Sequence, residues 1–156
     1  GREQGLRAGT ENVAGIVGLG AAAALRAQDM DVDALRLAAL RERLKVGIAA
    51  EIEDVVVNGS QTHCLPQTLN LSFCRIEAES VLLGLDMEGI AVSGGSACAA
   101  GHAEPSHVLL AMGMEPRLAA GAVRFSLGYG NDAAQVDRVI EVLPAIVARL
   151  RSLSVY

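Results

Sequence analysis

The order of helical and strand patterns along the chain predicts an α+β fold, in which a short, mostly antiparallel sheet is covered by helices. The first observation is four short segments with strand composition, at residues 55–57, 68–73, 90–92 and 121–127. The second is that helical patterns stand singly or in pairs between these segments. They do not follow every strand, as they would in an open parallel sheet.

The first helix is predicted from the apolar run between Val13 and Leu25, which consists mostly of Gly, Ala, Val and Leu. Thr10 or Asn12 is its expected N-cap, and the helix is expected to end near Gln28. A helix that is apolar on all sides is buried in a soluble protein, so we expect close packing through its glycines. The run has 13 residues, whereas a membrane span needs roughly 20.

A second, amphipathic helix is predicted to begin at Asp31 or Asp33. Its apolar residues recur at helical spacing: Val32, Leu35, Leu40, Leu44, Ile48 and Ile52. The change in composition between the two predicted helices indicates a domain boundary near residues 28–31.

The second half of the chain contains three further helical patterns, at 77–87, 106–112 and from Asp132 onward. Asp132 and Gln135 have the spacing of a capping box, in which each side chain bonds the other's backbone N–H. The short helix at 106–112 follows a proline and is expected to end at Gly113.

Composition excludes several classes of partner. The net charge is −5, and the chain has two Phe, two Tyr and no Trp, so neither a basic surface nor a base-stacking platform for nucleic acid is expected. Three cysteines form no disulfide framework and fit a cytoplasmic protein. We therefore expect neither a nucleic-acid nor a membrane partner.

Cys98 lies in a run of Gly, Ala and Ser from Ser93 to Gly101, which predicts a mobile surface loop over about 93–104. A thiolate on such an arm could move to meet a reactant, although a loop cysteine without function is the alternative. Cys64 and Cys74 lie near a turn and at a strand end, and we expect ordinary thiols there.

A metal site is the second alternative for this segment, because His102, Glu104 and His107 follow Cys98 closely. Their spacing matches no standard zinc pattern, and Pro105 interrupts any common helical face. We therefore predict no metal ligands.

Arg124 is the second unusual residue, because it interrupts the apolar strand at 122–127. A buried guanidinium must be paired, and its planar fork suits a carboxylate. An arginine on an edge strand that faces water is the alternative, and the sequence leaves both open. Lys45, the only lysine, lies on the second predicted helix, which is amphipathic, and its side chain is expected to be solvated.

Four motifs together resemble the cysteine desulfurases, which are fold-type I enzymes that use pyridoxal phosphate. They are residues 7–15, 93–98, 104–109 and 123–128. The resemblance extends over essentially the whole chain. It implies that residues 1–29 are the last loop and helix of the large, cofactor-binding domain, and that residues 30–156 form the small C-terminal domain.

The resemblance also implies roles for three residues. Cys98 is the nucleophile that takes sulfur from L-cysteine as a persulfide while L-alanine is released. Arg124 binds the substrate carboxylate, and Thr10 reaches the cofactor phosphate of the other subunit in a homodimer. His107 has only a structural role, and an iron–sulfur scaffold is the implied sulfur acceptor.

Departures from the family pattern lead to further expectations. Ala99 and Ala100 replace the usual hydroxyl residues, and His102, which is bulkier than usual, is hypothesised to help ionise Cys98. No lysine occurs where the family attaches its cofactor, so we expect the chain to be a fragment that is inactive by itself. Its first helix should then be exposed. A non-enzymatic persulfide carrier or interaction module is the alternative.

Overall fold

A computed structural model describes residues 5, 6, 8–94 and 105–153 of the chain. The chain divides into two compact units, Gly1–Ala34 and Leu35–Tyr156. The predicted α+β class is confirmed. The elements are α1 (Val13–Glu51), β1 (Val55–Val57), β2 (Thr68–Phe73), α2 (Ala78–Asp86), α3 (His107–Ala111), α4 (Pro116–Ala120), β3 (Ala122–Ser126) and α5 (Ala133–Leu153).

The two helices predicted before residue 52 are one continuous helix of 39 residues, α1. The predicted caps, Asp31 and Asp33, are both interior positions of this helix. No Gly or Pro interrupts residues 28–33, and the Asp33 carboxylate accepts a hydrogen bond from Arg26 Nη1 at 2.6 Å. Aspartate was therefore a misleading boundary signal, because an ion pair along the helix satisfies it in place.

The start of α1 agrees with the prediction. The backbone N–H of Gly15 donates to Asn12 Oδ1 at 3.1 Å, so Asn12 is the N-cap.

The apolar run that begins α1 is exposed, with side chains 58% to 74% accessible. The exposed large residues are Val13, Ile16, Val17, Leu19 and Leu25. The prediction of a buried helix is therefore wrong for this chain taken alone, and the second expectation, that this face is exposed, is confirmed.

The three strands form one antiparallel sheet in the order β1-β2-β3. The strand predicted at 90–92 is absent from the described structure. Only Ser93 pairs there, through a single bridge to Arg124. Gly89 has a φ of +72°, so the chain turns sharply directly after α2.

One face of the sheet packs against the second half of α1, α2 and α5 to form the main core. Sheet residues of this face are Leu69, Leu71, Phe73, Val123 and Phe125. Four of the six apolar positions predicted on the second helical pattern join them, namely Leu40, Leu44, Ile48 and Ile52. Val32 and Leu35 are instead 72% and 76% exposed.

The other face of the sheet is partly covered by α3 and α4, through a small cluster of Leu109, Ala119, Ala122 and Met114. Helix α4 was not predicted from the sequence. It has five residues and begins with Pro116. A sequence pattern this short does not distinguish a helix from a turn. Among the residues that the structure describes, α3 and α4 cover only the Ala122 end of this face, which we call the open face.

The start of α5 confirms the predicted capping box. Gln135 N–H donates to Asp132 Oδ1 at 2.9 Å, and Asp132 N–H donates to Gln135 Oε1 at 3.3 Å. Helix α3 also ends as predicted, since Gly113 adopts a φ of +85° just beyond it. No helix within the described ranges is long and apolar enough to cross a membrane.

Candidate functional site

Arg124 lies in the middle of β3, an edge strand, with its side chain on the open face of the sheet. Its neighbours Val123 and Phe125 point into the core, because successive side chains of a strand alternate between faces. The guanidinium is exposed, and it makes no hydrogen bond or ion pair with any residue that the structure describes. The side chain is exposed on an edge strand, as the second alternative describes, and none of its five donors is used by a described residue, so a role in carboxylate binding stays a prediction.

The backbone of Arg124 is used on the outer side of β3. Ser93 N–H donates to Arg124 O at 3.1 Å, and Arg124 N–H donates to Ser93 O at 2.6 Å. Both backbone groups therefore point away from β2, and the pair that Arg124 forms with Asn70 across the strands is non-hydrogen-bonded. Non-hydrogen-bonded pairs have Cα atoms about 4.5 Å apart, and their side chains lie closer together than those of the hydrogen-bonded pairs with which they alternate. Asn70 is therefore the direct neighbour of Arg124 on the open face.

Asn70 belongs to a hydrogen-bonded cluster on that face. Asn58, which follows β1, donates its backbone N–H to Asn70 O at 2.9 Å. Its side-chain Nδ2 donates to Asn70 Oδ1 at 2.6 Å and to Ser72 Oγ at 2.9 Å. Asn58 Oδ1 is buried and has no partner in the described part of the chain. The cluster holds the Asn70 amide in one orientation beside Arg124.

The predicted nucleophile, Cys98, lies outside the described residues, together with His102, Glu104 and the predicted loop from residue 95 onward. Ser93, at the start of that segment, is hydrogen-bonded to the backbone of Arg124. The effect of His102 on Cys98 therefore stays a prediction.

The other predicted residues lie elsewhere. Thr10 precedes α1 in the first unit and is exposed. Lys45 is less solvated than predicted: its side chain is 24% exposed, and Nζ lies 2.8 Å from Glu42 Oε2 and 3.3 Å from Gln61 Oε1. The loop between β1 and β2 covers it, which helical periodicity could not show.

The remaining thiols and histidines form no metal site among the described residues, where no cluster of three or more His, Cys, Asp or Glu side chains occurs. Cys64 is exposed, with Sγ 2.6 Å from Arg41 Nη1, and Cys74 is half-buried. His107 is exposed in the first turn of α3.

Sequence reasoning missed Asn58 and Asn70. The composition of residues 68–73 correctly predicted the strand that contains Asn70. The missing information was the register, which places Asn70 opposite Arg124.

Comparison with known proteins identifies the family. The family model for class-V aminotransferases matches residues 1–139. The chain belongs to this family. Its curated relatives include a cysteine desulfurase of Trichormus azollae, 51% identical over 153 residues, and cysteine desulfurase NifS of Azotobacter vinelandii, 46% identical over 155 residues. These matches cover 98% and 99% of this chain but only 38% and 39% of the two relatives.

Two solved structures have the same fold. A NifS-like protein matches with a TM-score of 0.83 at 33% identity, covering 96% of this chain and 38% of the other. The NifS-like protein of Rickettsia africae matches with a TM-score of 0.81 at 29% identity, covering 95% and 38%. The resemblance to cysteine desulfurases that the motifs predicted is confirmed, and so is the fold class. The chain spans well under half the length of these relatives.

Proposed function

We propose that this chain supplies the sulfur-accepting cysteine and the substrate-carboxylate site of a cysteine desulfurase. Residues 1–29 are then the tail of the large domain and 30–156 the small domain. The division into compact units after Ala34 lies near this proposed boundary. Identities of about half over nearly the whole chain with curated cysteine desulfurases support the proposal.

The observation that carries the proposal is the exposed guanidinium of Arg124 on the open face of the sheet, which no described residue binds. A fork of parallel N–H donors binds a carboxylate through two charge-assisted hydrogen bonds. We propose that Arg124 binds the carboxylate of L-cysteine there. Cys98 is five residues beyond Ser93, which is hydrogen-bonded to Arg124. An extended chain gains about 3.5 Å per residue, so covalent connectivity alone keeps Cys98 within about 18 Å of Ser93.

The proposed reaction transfers one sulfur atom. The Cys98 thiolate attacks the sulfur of L-cysteine, so that an S–S bond forms and the substrate Cβ–S bond breaks. The electron pair of the broken bond stays on Cβ, which takes up a proton and becomes the methyl group of L-alanine. No external oxidant or reductant is needed. Arg124 keeps the substrate in place while the bonds change.

Pyridoxal phosphate, which class-V enzymes generally use, supplies the electron sink for such a bond cleavage when it is bound. The described residues do not fit a complete site for it. Lys45 is the only lysine of the sequence, and Glu42 and Gln61 hold its ammonium group. We therefore propose that the attachment lysine comes from outside these 156 residues, and that the chain does not desulfurate L-cysteine by itself.

The subunit arrangement and partners follow from the same proposal. We propose a cytoplasmic homodimer in which Thr10 of one subunit hydrogen-bonds the cofactor phosphate of the other. The persulfide on Cys98 is then passed to an iron–sulfur scaffold protein.

A non-enzymatic persulfide carrier is the second candidate, and the engaged state of Lys45 favours it for the chain by itself. In that case Cys98 receives sulfur from another protein. Both candidates assign the same thiol and differ in whether the chain takes part in cleavage of L-cysteine.

Anaerobic intact-mass analysis after incubation with pyridoxal phosphate and L-cysteine separates the two. In the complete desulfurase polypeptide, we expect Cys98 to gain one sulfur and an equal amount of L-alanine to appear, and we expect neither in Cys98→Ala. The 156-residue chain should gain no sulfur under these conditions. Equal sulfur gain in Cys98→Ala contradicts the proposed nucleophile. A gain by the isolated chain from a persulfide donor, with no gain by the complete polypeptide from L-cysteine, favours the carrier.

A further inference from the structure

The hydrogen-bonded cluster around Asn58 has a fixed order of donors and acceptors. The Ser72 hydroxyl donates to Met114 Sδ at 3.7 Å, so Ser72 Oγ accepts from Asn58 Nδ2. The second proton of that Nδ2 goes to Asn70 Oδ1. Asn70 ends the chain of bonds with its carbonyl oxygen in use. Its own Nδ2 keeps two protons that no described residue accepts.

This order of donors and acceptors directs Asn70 Nδ2, which no described residue accepts from, toward Arg124. Asn58 lies on the β1 side of β2, and Asn70 Oδ1 is directed to it. The planar amide therefore carries Nδ2 on its other arm, away from β1. On the β3 side the residue directly opposite Asn70 is Arg124, in a close, non-hydrogen-bonded pair.

We propose that Asn70 Nδ2 is a second hydrogen-bond donor for the carboxylate that Arg124 binds, and that Asn58 is the positioning residue that holds this donor toward the site. The proposal rests on the proposed function, since it takes the L-cysteine carboxylate to bind at Arg124. A guanidinium and an amide N–H₂ side by side present donors only. A carboxylate, which only accepts, matches both of them at once.

Ligand affinity tests the donor directly in the complete desulfurase polypeptide loaded with pyridoxal phosphate. L-alanine carries the carboxylate, and ethylamine is the same molecule without it, so both dissociation constants are measured from the cofactor absorbance. Asn70→Asp keeps the shape but replaces the donor by an anionic acceptor. We expect it to weaken L-alanine binding about 10- to 100-fold, the range for a lost hydrogen bond to a charged group, and to leave ethylamine unchanged. Ser126→Ala, on the same face of β3, is the matched control and should change neither.

Asn58→Asp tests the positioning role without touching Asn70. An aspartate cannot donate, so the Asn70 amide must rotate to donate to it and then turns Oδ1 toward Arg124. We expect a several-fold loss of L-alanine affinity, again without an effect on ethylamine. Nuclear Overhauser contacts between the Asn70 side-chain amide protons and the Arg124 side chain give a readout in the 156-residue chain. We expect them in the wild type and expect their loss in Asn58→Asp.

Three outcomes overturn the proposal. One is an unchanged L-alanine affinity in Asn70→Asp while Arg124→Ala weakens it. Another is an equal loss for both ligands, which indicates a structural role. The third is a wild-type amide whose protons contact Asn58 and not Arg124, a result that stands even if Asn58→Asp fails to fold. If Arg124→Ala leaves L-alanine binding unchanged, the proposed function itself is wrong, which is a distinct result.

Discussion

The two faces of the sheet differ in what their side chains do. The core face buries Leu71, Phe73 and Val123 almost completely, against helices on one side of the sheet. The open face carries Asn70 and Arg124, which are held by a backbone bridge and a side-chain cluster. Both faces come from the same strands, because strand side chains alternate with a period of two. We therefore expect substitutions on the core face to change stability, and those on the open face to change ligand binding.

Phe73→Ala should have the largest effect on stability. The Phe73 side chain is fully buried in the main core, so the substitution leaves a cavity between the sheet and its helices. Phe→Ala changes in such positions cost about 3–5 kcal/mol. Urea unfolding of the 156-residue chain, followed by circular dichroism, measures the loss. A cost below about 1 kcal/mol would mean that this face is not the main source of stability.

Gly121→Ala should have the second largest effect, because no side chain fits where the chain enters β3. A Cβ at Gly121 would overlap the backbone carbonyl oxygens of Phe73 and Ile76, and neither can move freely. Overpacking of this kind costs about 1–3 kcal/mol. Gly18→Ala is the matched control, since its Cβ meets nothing within 4 Å in the exposed part of α1. That control should be stabilising by about 0.5–1 kcal/mol, and equal losses in both variants would contradict the packing argument.

Arg124→Ala should separate stability from binding. The guanidinium is exposed and contacts no described partner, so its removal should change the free energy of unfolding by less than about 0.5 kcal/mol. In the complete enzyme the same change should weaken carboxylate ligands strongly, as isothermal titration with L-alanine would show. A large loss of stability together with an unchanged affinity for L-alanine would mean that Arg124 stabilises the fold and does not bind the ligand.

These differences also explain what the sequence could predict. Local signals predicted local features correctly: the composition of residues 68–73 predicted β2, and the Asp132–Gln135 spacing predicted the start of α5. Features that depend on distant residues were wrong or missed. The interior aspartate of α1 was taken for a cap because its partner, Arg26, lies almost two turns away.

Only part of the candidate site could be predicted from the sequence, namely Arg124 and not Asn70. Arg124 stood out because a charge in an apolar strand needs a reason, and motif resemblance gave its expected role. Asn70 did not stand out, because its importance depends on the register between β2 and β3 and on the hydrogen bond from Asn58. Residue type and spacing contain neither piece of information, since pairing partners are set by the folded chain.

The smallest expected effect belongs to neither face but to a surface ion pair between α1 and α5. Arg43 Nε and Nη2 donate to the two carboxylate oxygens of Asp137 at 2.6 and 2.8 Å. The hydrogen bond from Arg43 is the main reason that the pKa of Asp137 is lowered, and the attraction between the charges adds to it. A lowered pKa in the folded state stabilises the protein above the ordinary aspartate pKa of about 3.9.

The sign and size of this contribution can be tested with Asp137→Asn. The stability difference between wild type and variant should be constant near neutral pH and should vanish as the pH falls through the lowered pKa. Because the pair lies at the surface, with side chains 55% and 49% exposed, the difference should be far smaller than that of Phe73→Ala, and about 1 M salt should reduce it further. Urea unfolding at several pH values measures it. A wild type that is less stable than Asp137→Asn at neutral pH, with the difference closing as the pH falls, would mean that the carboxylate destabilises the fold.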